Sequence, residues 1–166
     1  MPKKFEVDTE LDFPVEQVHG ALTDEAYWRR RLRVNDNVDV QFDRTGGGLA
    51  VTITESTDPE QFPAVVRAVI RGPMTVRRSD SWGPLADGRA DGTIGGSSTG
   101  LPVTIDAAAE LSGNGDGCTR LRVRGQVRVK IPLVGGQIEM LAKQMVVKLV
   151  ERDREELTAW LTPETD

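Results

Sequence analysis

Residues 5 to 13 alternate without a break: Phe5, Val7, Thr9, Leu11 and Phe13 point one way, and Glu6, Asp8, Glu10 and Asp12 the other. A period of two predicts a half-buried strand. Pro14 suits the first position of a helix, where its missing N–H costs little. Val15, Val18 and Leu22 then recur at helical spacing. Thr23 or Asp24 can cap a second short helix over 26–32. Val38, Val40 and Phe42, the turn Gly46-Gly47-Gly48, and Leu49, Val51 and Ile53 read as a hairpin. Phe62, Val65, Val66, Val69 and Ile70 fit a short helix within 59–72 better than they fit alternation. Four more strands are predicted at 74–82, 89–97, 101–111 and 119–131, separated by Asp87-Gly88, Thr99-Gly100 and Asn114-Gly115-Asp116-Gly117. The stretch 134–161 carries Ile138, Leu141, Ala142, Met145, Val146, Leu149, Val150, Leu157 and Trp160 at helical spacing. It predicts a helix of about 42 Å, stopped by Thr162-Pro163.

The predicted order is one strand, two helices, six strands and a long helix, with a short extra helix near 60–71. All of it fits a single domain over 1–166. The long helix cannot bury its apolar stripe alone, so a seven-stranded antiparallel sheet is expected to curl around it. Charge indicates which strands are neighbours. The polar side of the first strand is all acidic, whereas that of the last carries Arg120, Arg122, Arg124, Arg128 and Lys130. Laid antiparallel, the two form a ladder of opposite charges, so they are predicted to be adjacent.

Composition narrows the chemistry. Lys and Arg number 21 against 26 Asp and Glu, a net charge of −5 that disfavours general nucleic-acid binding. A single cysteine, Cys118, and a single histidine, His19, leave no multi-ligand zinc site and no disulfide framework. The N-terminal residues run straight into charge, with no apolar stretch for a signal peptide or a membrane span. A cytoplasmic protein is expected, and neither a metal nor a cofactor is called for.

Several segments resemble a known family. Phe13-Pro14-Val15-Glu16-Gln17-Val18, Leu22-Thr23-Asp24-Glu25 and Val127-Arg-Val-Lys-Ile-Pro-Leu-Val-Gly-Gly-Gln-Ile-Glu139 carry the likeness. With the element order β-α-α-β6-α, they are similar to the helix-grip fold of the START-like (SRPBCC) superfamily, which contains polyketide cyclases/dehydrases and lipid-transport proteins. They resemble most an uncharacterised actinobacterial, DUF2505-like branch, which often has a basic residue where Gln137 stands. The resemblance implies an α+β fold and a cavity between sheet and C-terminal helix for a hydrophobic ligand such as a lipid, sterol or polyketide.

By that analogy the helix would contribute Leu141, Met145 and Leu149 to the cavity. The sheet would contribute Phe42, Ile53, Val76, Trp82, Ile94 and Ile105, with Trp28, Leu32, Phe62 and Val66 at the mouth. Each is equally what an ordinary core would use. Gly92, Gly95, Gly96 and Gly125 inside strands signal bends.

One feature departs from the pattern. The face of 74–82 that carries Met74, Val76 and Trp82 also carries Arg78 and Asp80. In a regular strand both charges point inward, where they must pair or anchor a ligand's polar head; a bulge or the strand end would turn them to solvent instead. Arg29-Arg30-Arg31-Leu32-Arg33 either attracts an anionic group or complements a helix C-terminus. No catalytic residue stands out. A cyclase-type enzyme would have to draw its acid or base from Arg78, Asp80, Glu55 or Asp153. The leading expectation is a binding module for a hydrophobic small molecule. The alternatives are such an enzyme or a ligand-free interaction domain.

Overall fold

A computed structural model describes residues 2–32 and 37–163. Its elements are β1 (Lys3–Leu11), α1 (Val15–Leu22), α2 (Glu25–Leu32), β2 (Val38–Thr45), β3 (Gly48–Thr57), α3 (Ala64–Arg67), β4 (Met74–Trp82), β5 (Arg89–Ser98), β6 (Val103–Gly113), β7 (Thr119–Val129) and α4 (Gly135–Leu161). Arg33, the last of the arginine run, lies outside the described residues. The architecture is α+β: one antiparallel seven-stranded sheet in the order β1-β7-β6-β5-β4-β3-β2, gripping a 27-residue helix.

Boundaries differ from the sequence pattern where proline intervenes. Pro14 sits at the N-cap of α1, in extended geometry, rather than inside the helix. The single helix expected over 59–72 is a 3₁₀ turn at Pro59–Gln61 followed by the one-turn α3. Phe62 between them is extended (φ −95°, ψ 156°) because the ring of Pro63 excludes the helical region from the residue before it. β6 starts at Val103, past Pro102, which has no N–H for a ladder.

The first and last strands pair as their charges predict, with Glu6 opposite Arg124, Asp8 opposite Arg122 and Glu10 opposite Arg120. Sheet twist moves one contact off the direct partner. The Arg120 guanidinium reaches diagonally to Asp8, its Nε donating at 2.8 and 2.9 Å, while Arg124 Nε lies 3.1 Å from Glu6. The hydrogen bond from Arg120 holds the Asp8 carboxyl below the usual carboxylate range. Its contribution to stability is therefore present above the ordinary carboxylate pKa and lost as pH falls through the lowered value. Asp8→Asn is expected to lower the urea midpoint slightly near neutral pH. The gap to wild type should close in high salt, and again as the solution is acidified. A gap independent of both conditions would exclude an electrostatic origin.

Register places the side chains of the concave face in rows. One runs Phe42, Val51, Asp80, Ile94, Ala107, Gly125 and Phe5; the next runs Val40, Ile53, Arg78, Gly96, Ile105, Val127 and Lys3. Two glycines in this face are required by close approach. A Cβ on Gly125 would lie 2.2 Å from the Asp106 carbonyl oxygen, and one on Gly92 would enter the Trp82 ring at 2.8 Å. α4 packs on the face against β1, β7 and α1. Near its start, the buried Glu139 carboxylate accepts from the Val129 N–H at 3.1 Å. Further along, Arg154 Nε donates to the Glu10 carbonyl at 3.0 Å.

Candidate functional site

The register of β3, β4 and β5 runs unbroken past residue 80, so no bulge turns Arg78 or Asp80 outward. Both point into the concave face. Being two apart on one strand, they sit side by side: Arg78 Nε and Nη2 donate to the two Asp80 carboxylate oxygens, each at 2.8 Å. Arg78 Nη2 also donates to Asp153 of α4 at 3.1 Å. The other Asp153 oxygen accepts from Arg31 of α2, and Arg31 Nη1 lies 3.4 Å from the Tyr27 hydroxyl. Four side chains from α2, β4 and α4 thus form a chain: Arg31, Asp153, Arg78, Asp80.

This tetrad is deeply placed. Side-chain exposure is 3% for Asp80, 7% for Arg31, 10% for Asp153 and 17% for Arg78. Burial opposes the charge on Arg78, but Asp153 and Asp80 outweigh it and hold the guanidinium above its ordinary pKa. Arg31 is raised in the same way by Asp153, against its own burial. Two cations and two anions cancel, so the group is neutral in sum while remaining a line of strong dipoles through the interior.

Around it the expected cavity residues fall into distinct places. Phe42, Ile53, Val76, Trp82, Ile94 and Ile105 all belong to the inward face of the sheet. Ile53 and Trp82 are buried, and Phe42, Val76, Ile94 and Ile105 are only half-buried. On α4, Leu141, Met145 and Leu149 share one edge at spacings of four. Leu141 and Leu149 are half-buried and Met145 is 53% exposed. Phe62 is half-buried before α3 and Val66 is buried within it. Trp28 is fully enclosed between helices, its indole Nε1 donating to the Leu22 carbonyl at 2.9 Å, so it stands in the core and not at an opening. Leu32 lines a cleft between α2 and the C-terminal turns of α4. His19 is structural: its Nε2 donates to the Gly83 carbonyl at 2.8 Å.

Residues 6–161 match the profile of a family described as "Protein of unknown function (DUF2505)". The chain belongs to this family. Uncharacterised proteins of Mycobacterium tuberculosis and Mycobacterium bovis are each 30% identical to it over 171 residues, covering 98% of both chains. Among solved structures, the Zhui aromatase/cyclase from Streptomyces sp. R1128 superposes with a TM-score of 0.54 at 15% identity, over 96% of this chain and 90% of that one. Norcoclaurine synthase from Thalictrum flavum, solved with dopamine and hydroxybenzaldehyde, gives 0.58 at 11% identity, over 99% and 90%. The protein Ara h 8.0201 gives 0.57 at 15% identity, over 96% and 97%. These likenesses establish the helix-grip fold.

The two residues that sequence reasoning left unassembled are Arg31 and Asp153. Asp153 continues the buried stripe Val146, Val150 and Leu157, so an acid at a core position was the available signal. Arg31 is one of several arginines in a run, and nothing local separates it from Arg29 or Arg30.

Proposed function

We propose that this DUF2505-family chain is a binding module for a hydrophobic small molecule, of lipid, sterol or polyketide-like character. The ligand lies between the concave sheet and the Leu141–Met145–Leu149 edge of α4, with the Arg78–Asp80 pair as its polar anchor. The observation that carries this reading is an inverted order of burial. Charged Asp80 is 3% exposed, while the apolar Phe42, Val76, Ile94 and Ile105 on the same face are only half-buried and Met145 is 53% exposed. A flush core would do the reverse, since each Å² of apolar surface left in water forfeits about 25 cal/mol. An apolar ligand laid on these side chains would recover that energy.

A binding role fits the chemistry better than a proton-transfer role. Both Asp80 oxygens accept from Arg78, and the two Asp153 oxygens accept from Arg78 and Arg31, so these carboxylates are engaged within the protein rather than presented to a substrate as acid or base.

The test is organic extraction of the purified protein with mass spectrometry of the extract, beside its native mass. A native mass above the chain mass is expected, with a matching apolar compound in the extract. Ile94→Trp, which fills the space over the sheet, should remove the extra mass while leaving the circular dichroism spectrum unchanged. The reading fails if nothing co-purifies and an environment-sensitive apolar fluorophore shows no saturable binding that Ile94→Trp abolishes.

A further inference from the structure

Between α2 and the last turns of α4 a cleft of about 580 Å³ opens. It is lined by Arg30 from α2 and Arg152 from α4, with the buried Tyr27 and Arg31 side chains and Trp160 between them. Arg30 and Arg152 differ from the other arginines of this region. Arg29 reaches Glu25 and Arg31 reaches Asp153, whereas neither Arg30 nor Arg152 has a carboxylate within 4.0 Å among the described residues. Glu156 also lines the cleft but lies within ion-pair distance of neither.

Part of the lining is aromatic. Tyr27 and Trp160 meet edge to face, centroids 5.7 Å apart at 71°, and the Arg30 guanidinium stands 5.5 Å over the Trp160 ring. Tyr27 is 1% exposed, and its hydroxyl accepts from Arg31. The hydroxyl's own proton has no acceptor among the described residues. Burial, aided by Asp153 and Glu156, pushes its pKa up to about 12, so it remains a donor at physiological pH. A buried donor without an acceptor is costly unless something supplies one.

We propose that this cleft is a second binding site, taking a small oxyanion, carboxylate or phosphate, carried on an aromatic ring. Arg30 and Arg152 present planar forks that match a carboxylate or phosphate. Tyr27 supplies a further hydrogen bond to the same group or to a ring substituent, and Trp160 offers a surface for the ring. The volume suits a small molecule of this kind. The site uses none of the apolar residues of the concave groove and meets it only through Arg31, so the two readings stand or fall separately.

The test is titration of the full chain, ¹⁵N-labelled at tryptophan, following the Trp160 indole signal assigned through Trp160→Phe. Phenyl phosphate and benzoate are expected to move that signal saturably, and their relative affinities rank phosphate against carboxylate. Uncharged phenol should leave it in place. Inorganic phosphate, lacking the ring, should bind about tenfold more weakly. Arg30→Gln with Arg152→Gln should weaken phenyl phosphate and benzoate by about tenfold or more, as expected for losing charge-assisted hydrogen bonds. The proposal is overturned if neither anion gives a saturable shift, if phenol shifts the signal as strongly, or if the double variant binds as wild type does.

Discussion

Asp153→Leu is expected to destabilise the protein by about 3–5 kcal/mol, because it leaves two buried guanidinium groups facing each other without their shared carboxylate. Asp153 bridges Arg31 and Arg78 through its two oxygens. Without it, Arg78 keeps Asp80 alone, and Arg31 keeps the Tyr27 hydroxyl and the Trp28 ring, over which it stands at 5.3 Å. Chemical denaturation measures the loss directly, and a cost below about 1 kcal/mol would mean that the bridge is not formed in solution. The companion experiment removes the whole tetrad: Arg31→Leu, Arg78→Met, Asp80→Leu and Asp153→Leu together. Replacing a complete buried ion network by apolar groups of similar volume is often neutral or stabilising by about 1–4 kcal/mol. The fourfold variant is thus expected to be far more stable than the single one. If it also fails to bind the apolar fluorophore that the wild type binds while keeping the fold, the charges serve recognition rather than folding.

Trp28→Ala should cost about 3–5 kcal/mol, the usual range for deleting a large buried aromatic side chain. Trp28 is 0% exposed and joins two helices, since it stands on α2 and its indole donates to Leu22, the last residue of α1. It also meets the Tyr27 ring edge to face at 5.3 Å. Alanine removes the packing, the hydrogen bond and the surface against which Arg31 is placed. Trp28→Phe keeps most of the packing and loses the donor, so about half the cost or less is expected. Equal losses for the two variants would show that the indole hydrogen bond dominates. A negligible loss in both would place Trp28 outside the cooperative core.

Much of the architecture was legible because it rests on local repetition. Alternation in β1 and β7 located the strands, and the opposite charges on their polar sides marked them as neighbours. In β4 the alternation put Arg78 and Asp80 on the apolar face only if the strand stayed regular, and a bulge or strand end turning them to solvent remained the alternative; the register runs unbroken through both. The pattern could not show whether the strand stayed regular that far, or what would meet the two charges if it did. The partner from another element, Asp153, lies 75 residues after Arg78, and the second guanidinium on Asp153, that of Arg31, comes 122 residues before it, separations that no periodicity spans. The run of arginines illustrates the same limit. Arg29, Arg30 and Arg31 look alike in sequence. In the fold, Arg29 reaches Glu25 and stands over Phe42, Arg30 stands over Trp160 with no carboxylate partner among the described residues, and Arg31 is sealed against Asp153. Successive residues on a helix point about 100° apart, so each meets a different neighbour.

The sequence alone determined the seven strands, the long C-terminal helix, their order and the pairing of the chain's two end strands. These follow from side-chain periodicity and from the sign of charge, which act between neighbours along or across a strand. The tertiary structure decided the rest. It joined Arg31, Asp153, Arg78 and Asp80 into one buried network, took Trp28 from an expected opening into the core, and left apolar residues of the sheet less buried than a charged one. Those outcomes depend on the seat of α4 over β1 and β7, held through Glu139 near its start and Arg154 further along. How far a helix stands from a sheet is set by packing among side chains distant in the chain, and no local pattern records that distance.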